Sequence, residues 1–337
     1  MKIGIHHRDN SFSERWIEYC KQNNVPFKIV NCYDSDIMEQ LKDCDALMWH
    51  HRHSIFKDTL AARSILYSLE QAGVKVYPNF YTGWHFDNKV AQKYLLEAIE
   101  APMVPSYIFY EKEKALEWAK STSYPKVFKL KRGAGSANVR LVKSESQSIK
   151  LIKRAFGRGF SPSNPYGNLK ERFRLFVNGK DTLRGVMNGV GRLFIHKEFS
   201  KMNGNEKGYA YFQEFIPNNK FDIRIVLIGN KAFGIKRLVR ENDFRASGSG
   251  NVIFDKDEID LSCVEVSFNL NKRLKAQSIA VDFIFDADNN PLIVELSYGF
   301  AVGPYDDCPG YWDENLQWHQ GKFNPQVWMI ENVINQI

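Results

Sequence analysis

The first eighty residues alternate short apolar runs with amphipathic stretches. Lys2–Ile5, Phe27–Asn31, Ala46–Trp49 and Val74–Tyr77 have the length and composition of strands. Ser13–Asn23, Asp34–Lys42 and Thr59–Gln71 between them fit helices. Alternation of this kind predicts an open parallel sheet with helices on its faces. Ligands of such sheets bind beyond the carboxyl ends of the strands. The first strand runs into His6, His7 and Arg8, and the third into His50, His51, Arg52 and His53. These side chains are therefore expected on one rim, facing an anionic or hydroxylated substrate group; a transition-metal site is the other functional reading, without a visible pattern of supporting acids. Ordinary loop histidines are the competing reading.

Beyond residue 80 the pattern changes. Asn88–Ile99 reads as a helix containing Lys89, closed by Pro102 and Pro105, which start an extended stretch. Glu111–Lys120 reads as a short helix, and Lys126–Leu130 and Val139–Val142 as strands. The loop between those strands holds Gly133, Gly135 and Ser136, with Lys129 just before it. A small-residue loop in this setting can fold over phosphates through its backbone N–H groups. It is neither a Rossmann nor a Walker loop, because no helix begins directly after it.

The stretch 143–210 has the weakest periodicity. Its loop 157–168, rich in Gly, Pro and Ser, is expected to be mobile, and Arg172–Val177 and Arg192–Phe199 read as strands. Next come Tyr211–Pro217 and the strand Phe221–Gly229, on which Asp222 and Arg224 share a face. The chain returns through Ala232–Arg237, passes a flexible loop at 242–250, and enters a helix, Val264–Gln277.

That helix leads to the most telling segment. Ser278–Phe285 and Pro291–Ser297 are apolar, β-branched runs flanking a cluster of Asp, Asn and Pro, which is a hairpin signature. Folding about Asp288–Asn289 sets Asp282 opposite Glu295. Opposed side chains on antiparallel strands lie roughly 5 Å apart, and like charges there repel. A cation between them removes the conflict, and hard oxygen donors at this spacing suit Mg²⁺. Ser297 faces the same side. A hairpin with one solvated face is the plainer reading.

At 337 residues the chain is long enough for more than one domain, and 44% hydrophobic with 25% charged residues is a globular composition. No run of about 18 apolar residues occurs, so no membrane insertion is expected. The start turns polar after five residues, unlike a secretion signal. Five scattered cysteines without a Cys-x-x-Cys pair indicate neither a disulfide framework nor a zinc site, and a cytoplasmic location is expected. The formal charge of +7 raises the question of nucleic acid. No nucleic-acid-binding signature accompanies it, and cationic surface also serves nucleotides.

From about Asn79 to Gly299 the order of these features resembles the ATP-grasp superfamily of carboxylate–amine ligases, and most nearly the ligases that add glutamate to ribosomal-protein tails. The resemblance implies an N-terminal parallel α/β domain (1–80) and a two-part ATP-grasp fold with antiparallel sheets. Its central part, with the glycine-rich loop, would cover 81–210, and its C-terminal part, with the metal site, 211–337. Lys89 and Lys129 resemble the two nucleotide lysines. Gln213, Glu214, Phe215 and Ile216 resemble the strand that holds adenine through its backbone, and Asp222 a nucleotide-contacting acid. Arg237 and Arg245 match basic positions that steady phosphate or an acyl phosphate. Asp282 and Glu295 match the metal-binding acids. Ser297 departs from the family, which ends this motif with Asn, and Ser247 likewise stands where Asn is usual.

The resemblance implies ATP and Mg²⁺ (or Mn²⁺) as cofactors, activation of a substrate carboxylate as an acyl phosphate, and capture by an amine. Small-molecule substrates from surface-polysaccharide or peptide tailoring are implied. The histidine–arginine rim, Arg224, Tyr311 and Trp312 are the expected substrate contacts. Dimers are common among such ligases, and a homodimer is compatible with this one. A kinase acting on a hydroxyl and a nucleotide-binding module without turnover are the alternatives.

Overall fold

The computed structural model describes residues 1–133, 138–161, 187, 204–239, 244–246 and 250–337. Strands expected at Arg172–Val177 and Arg192–Phe199, and most of the 157–168 loop, lie outside the described residues. The chain begins β1 (Ile3–His6), α1 (Phe12–Gln22), β2 (Phe27–Val30), α2 (Ile37–Gln40), β3 (Ala46–Trp49), α3 (Phe56–Gln71) and β4 (Lys75–Tyr77). It continues α4 (Phe80–Gly83), α5 (Lys89–Ala98), β5 (Ser106–Phe109), α6 (Lys112–Ser121), β6 (Lys126–Lys129), β7 (Val139–Val142) and α7 (Glu145–Ala155). Then follow β8 (Ala210–Glu214), β9 (Phe221–Ile228), β10 (Lys231–Leu238), β11 (Val252–Ile253), α8 (Leu261–Leu274), β12 (Ser278–Phe285) and β13 (Pro291–Ser297). The described elements close with β14 (Gly310–Asp313), β15 (Trp318–Gln320) and α9 (Pro325–Ile334). None of the described helices is long and apolar enough to cross a membrane.

Packing divides the chain into two compact units, one of residues 1–86, 96–103 and 218–337, the other of 87–95 and 104–217. The first unit contains a parallel sheet in the order β2-β1-β3-β4. The expected strands and helices are present, with ends shifted by a few residues. One shift has a local cause. Asn31 and Asp34 close a turn through Asn31 Nδ2 on Asp34 Oδ1 at 2.6 Å, and this side-chain bonding delays α2 to Ile37.

The same unit contains an antiparallel sheet in the order β13-β12-β9-β10-β14-β15, with β11 added on β10. One face of β9 carries Asp222, Arg224, Val226 and Ile228 in alternation, and the register matches them with Arg237, Ile235, Phe233 and Lys231 on β10. The apolar end of this face joins the largest core of the unit. There Val226, Phe233 and Ala280 pack with Phe12 and Trp16 of α1 and with Trp328, Met329 and Ile330 of α9. The other end of the same face is charged. Glutamine 277 stitches the two sheets: Gln277 Oε1 accepts from Asn79 N at 2.9 Å and Gln277 Nε2 donates to Val76 O at 2.8 Å.

The second unit is built on the antiparallel sheet β5-β8-β6-β7. Alternation gives it two unlike faces. Phe128 and Phe212 face α6 and α7, where Ala115, Ala119, Ile152 and Ala155 complete an apolar core. Lys129, Tyr211 and Gln213 face the other way. Helix α7 begins in the poorly readable region, yet it carries a start signal. Ser144 Oγ accepts from Gln147 N, and Gln147 Oε1 accepts from Lys143 N at 2.9 Å, a relative of the Ser-x-x-Gln capping box.

Three of the expected rim histidines, His6, His50 and His51, turn inward. His6 Nδ1 accepts from Cys32 N at 3.0 Å; His50 Nδ1 accepts from Phe12 N at 3.2 Å, and its ring stacks on Phe12 at 3.6 Å. His51 is buried against Phe86 and Tyr298. Burial lowers all three basicities, His51 to about 3. A depressed base contributes stability that is complete above its unfolded pKa near 6.5 and is lost as the pH falls toward the folded value. Taking the protein from pH 7 to pH 5 should therefore cost about 2 kcal/mol through His51 alone. Urea unfolding at the two pH values should show a shallower dependence in His51→Gln than in wild type. Equal slopes would mean that the folded protein accepts this proton.

Candidate functional site

The charged end of the antiparallel sheet in the first unit is an ordered row. The register sets Asp282 opposite Glu295 on one side and opposite Arg224 on the other. A bulge after Asp282 shifts the β12–β13 pairing by one residue, so the expected register holds at the acids themselves. On the next row but one, Arg237 lies opposite Asp222. The side chains close into an alternating chain of charge. Arg224 Nε and Nη2 donate to the two oxygens of Asp282 at 2.5 and 2.6 Å. Arg237 Nε and Nη2 donate to the two oxygens of Asp222 at 2.6 and 2.8 Å, and its Nη2 also lies 3.1 Å from Asp282 Oδ2.

These groups are largely withdrawn from water: Asp282 is 8% and Arg237 7% exposed. Burial pushes the Asp282 carboxyl up, but the guanidiniums of Arg224 and Arg237 outweigh it and hold the acid well below the usual carboxylate range. Asp222 goes the other way. Burial, reinforced by the charge of Asp282, exceeds the pull of Arg237 and raises it to about 6. Tyr305 also lies close enough to Arg224 to favour its charged form. The substrate contact expected of Arg224 is thus joined by a structural task that no sequence neighbour announces.

Ser297 turns its hydroxyl to the Gly299 carbonyl, donating at 2.7 Å. It keeps lone pairs for a ligand. A carboxylate offers about four lone-pair positions. Arg224 and Arg237 make three contacts on Asp282. One position remains, with Glu295 across the strand. Among the described residues no group of three or more His, Cys, Asp or Glu could hold a metal. Mg²⁺ does not need one: it takes one or two carboxylates and completes its shell with phosphate and water. The donors present fit such an ion.

In the second unit, Lys129 is buried on the polar face of the sheet, and its Nζ donates to Gln213 Oε1 at 2.5 Å. Gln213 Nε2 in turn donates to Ser106 Oγ at 3.1 Å. Lys89 opens α5 behind Asn88, whose Oδ1 accepts from Ala91 N at 3.1 Å as an N-cap does. Lys89 Nζ donates to Gly133 O at 2.8 Å, and Asp87 Oδ1 accepts from Gly133 N at 2.9 Å. The start of the glycine-rich loop is thereby clamped to the start of α5. Gly133 has φ +120°, where a side chain is strained, and an added Cβ would meet Asn138 Nδ2 at 3.1 Å. Gly135, Ser136 and Ser247 lie outside the described residues.

Two members of this region were not foreseen. Lys126, 2% exposed at its side chain, pairs with Glu214 at 2.8 Å, and Tyr107 donates to the same carboxylate at 2.9 Å. Glu214 was expected to contribute through its backbone. A lysine at the first position of an apolar strand was the available signal. Phe215 and Ile216 continue beyond β8, half-buried. In the first unit, Arg245 lies over the ring of Phe244, 6.0 Å from its centroid.

The N-terminal rim is organised by Asp58, also not foreseen, in the first turn of α3. It accepts from Arg52 N at 2.6 Å, from Arg8 Nη1 at 3.1 Å and from the Tyr33 hydroxyl. Arg8 also donates to His50 O at 2.8 Å. His6, His50 and His51 are buried, whereas His7 is 3.2 Å from Ser13 Oγ and His53 packs edge-on to Phe86. At the far end of the unit, Tyr311 stacks on His319 at 5.0 Å, and Trp312 is buried against Trp318.

Residues 175–301 match the family described as the RimK-like ATP-grasp domain. The chain is 24% identical over 230 residues to the alpha-aminoadipate–LysW ligase LysX of Saccharolobus solfataricus, a match covering 68% of this chain and 67% of that one. Among solved structures, the D-alanine–D-alanine ligase of Bacillus anthracis in complex with ATP superimposes with TM-score 0.56 at 13% identity, covering 99% of this chain and 96% of that one. The ATP-grasp ligase PsnB, complexed with minimal precursor, Mg and ADP, gives TM-score 0.54 at 12% identity, covering 99% and 97%. The mixed α/β fold with its parallel N-terminal sheet and antiparallel sheets agrees with these neighbours.

The charge chain makes a stability prediction. Asp282→Ala leaves the Arg224 guanidinium buried without its acid and should cost about 3–5 kcal/mol in urea unfolding. The double variant Arg224→Met, Asp282→Leu removes both charges and should lose much less. Equal losses in the two proteins would show that the pair does not act as a unit.

Proposed function

We propose, from the match of residues 175–301 to the RimK-like ATP-grasp domain, that the protein is an ATP-dependent carboxylate–amine ligase. The observation that carries the reading is the pairing of Asp282 with Glu295 beside Arg237, inside the stretch that matches the family. Buried Lys129 and the Lys89–Gly133 clamp are further support, because both lysines resemble the nucleotide lysines of such ligases.

In the proposed reaction an oxygen of the substrate carboxylate attacks the γ-phosphorus of ATP. The bond from that phosphorus to the bridging oxygen breaks, giving an acyl phosphate and ADP. The amine nitrogen then attacks the carbonyl carbon, phosphate leaves with the bonding pair, and loss of a proton from nitrogen yields the amide. Phosphoryl transfer asks the protein mainly for positioning and charge stabilisation. Lys129 holds a charged phosphate oxygen, its ammonium aimed by Gln213. Lys89 contributes a second cation at the start of the glycine-rich loop, whose backbone N–H groups serve the same phosphates. Arg237 steadies the transferred group, oriented by its fork on Asp222. Asp282 and Glu295, with Ser297 beside them, would hold Mg²⁺, which when bound neutralises charge on the phosphate oxygens. Exclusion of water from the acyl phosphate is required, because hydrolysis competes with the amine.

The Arg8–Asp58 rim, His7, His53, Arg224 and Tyr311 are the proposed substrate contacts, and small carboxylates and amines the proposed substrates. A nucleotide-binding module without turnover is the second reading. It is favoured by Arg224, which already occupies both oxygens of Asp282.

Incubation with ATP and Mg²⁺ against paired panels of carboxylates and amines should release inorganic phosphate only when both substrates are present, with an amide as product. Lys129→Met should lower kcat by about 10²–10³, the loss of one charge-stabilising donor. Phosphate retained on a hydroxyl acceptor would mean a kinase instead. Thermal stabilisation by ATP with no ADP formed from any pair would favour the module.

A further inference from the structure

We propose that the groove between β7 and α7 in the second unit is a separate binding site for a compact, multiply charged phosphoryl ligand. The groove has a volume of about 380 Å³ and is lined by Arg140, Lys150, Arg154 and Arg158, with Val142 and Leu151 among its apolar walls. That is the size of a small-molecule site. Its chemistry is not that of the nucleotide residues described above. Arg140 pairs with Phe128 and so lies on the helix-covered face of the sheet, whereas Lys129 lies on the opposite face.

The cations are arranged rather than scattered. Lys150 and Arg154 stand one turn apart on α7, and Arg158 follows four residues later. Arg154 is fixed: its Nε donates to Gly159 O at 3.0 Å, and its guanidinium lies 4.4 Å from the centre of the Phe160 ring. Arg140 approaches the same ring at 5.3 Å. Two guanidiniums are thus held on one aromatic ring with terminal N–H groups to spare. Among the described residues, no acid forms an ion pair with any of these four cations. Burial, and then the charges of Arg158 and Arg140, lower the basicity of Arg154. Like charges at this spacing repel, and a bound anion removes the conflict.

The density of charge selects the ligand class. One carboxylate would leave most of the four cations uncompensated. Phosphoryl groups bring two or more charges within a few ångströms, and their oxygens match the planar fork of arginine. The apolar walls suit an organic portion of the ligand.

The test is calorimetric titration of the whole protein with tripolyphosphate, in saturating MgADP so that nucleotide-site binding does not contribute. Wild type should bind about one equivalent. The double variant Lys150→Glu, Arg158→Glu changes two exposed side chains and should bind at least tenfold more weakly, with MgADP affinity unchanged. Absence of tripolyphosphate binding to wild type, or equal affinity in the variant, would overturn the proposal. Tighter binding of tetraglutamate than of tripolyphosphate would overturn the phosphoryl assignment and make the groove a peptide site.

Discussion

The alternating chain Asp222–Arg237–Asp282–Arg224 is the constraint on which the antiparallel sheet of the first unit depends. Its two acids and two guanidiniums are sunk into a face whose other end is the largest apolar core of the unit. Burying any one of these charges alone would cost several kcal/mol. Together they offset one another, with both oxygens of each carboxylate engaged. The geometry is strict, because planar guanidinium forks need particular strand neighbours. The order β12-β9-β10 supplies them, and any other order would separate Arg224 from Asp282 and Arg237 from Asp222.

The same arrangement bears on the proposed chemistry. An acid held ionised by two arginines is available as a metal ligand over a wide pH range, and its remaining lone pair is oriented in advance. The arginines also limit it, since they reduce the negative charge that attracts a cation. Arg237 lies between these roles: it orients against Asp222 and is the cation proposed for the transferred phosphoryl group. The second unit uses a different device. On the sheet face away from the Phe128–Phe212 core, buried Lys129 is backed by a hydrogen-bonded line of Gln213 and Ser106, which offsets part of the cost of its burial.

Much of the fold was legible for a simple reason. The strands of a parallel sheet covered on both faces read as continuous apolar runs, and β1, β2, β3 and β4 stand within a residue or so of where those runs fall. The hairpin β12–β13 was legible because its turn residues fall between two apolar, β-branched runs. Helices α7 and α9 were harder. In α7 basic residues mask the apolar stripe of Ile152 and Ala155, although the cap at Ser144 marks its start. Helix α9 was not foreseen, although Asn324 and Pro325 supply a start signal. The histidines after β1 and β3 were expected on a substrate-facing rim, but ring direction was not readable. His6 and His50 accept backbone N–H groups from Cys32 and Phe12, partners that exist only once the sheet has formed.

By itself the sequence determined what depends on neighbours along the chain: strand alternation, the hairpin turn, and with them the opposition of Asp282 and Glu295. Tertiary structure decided which charge meets which. Arg224 reaches Asp282 and Arg8 reaches Asp58 across gaps of 58 and 50 residues, and Lys126 reaches Glu214 across 88. Those partners follow from the order of strands in a sheet and the packing of a helix on it. Alternation along one strand says which face a side chain takes, but not which strand lies beside it.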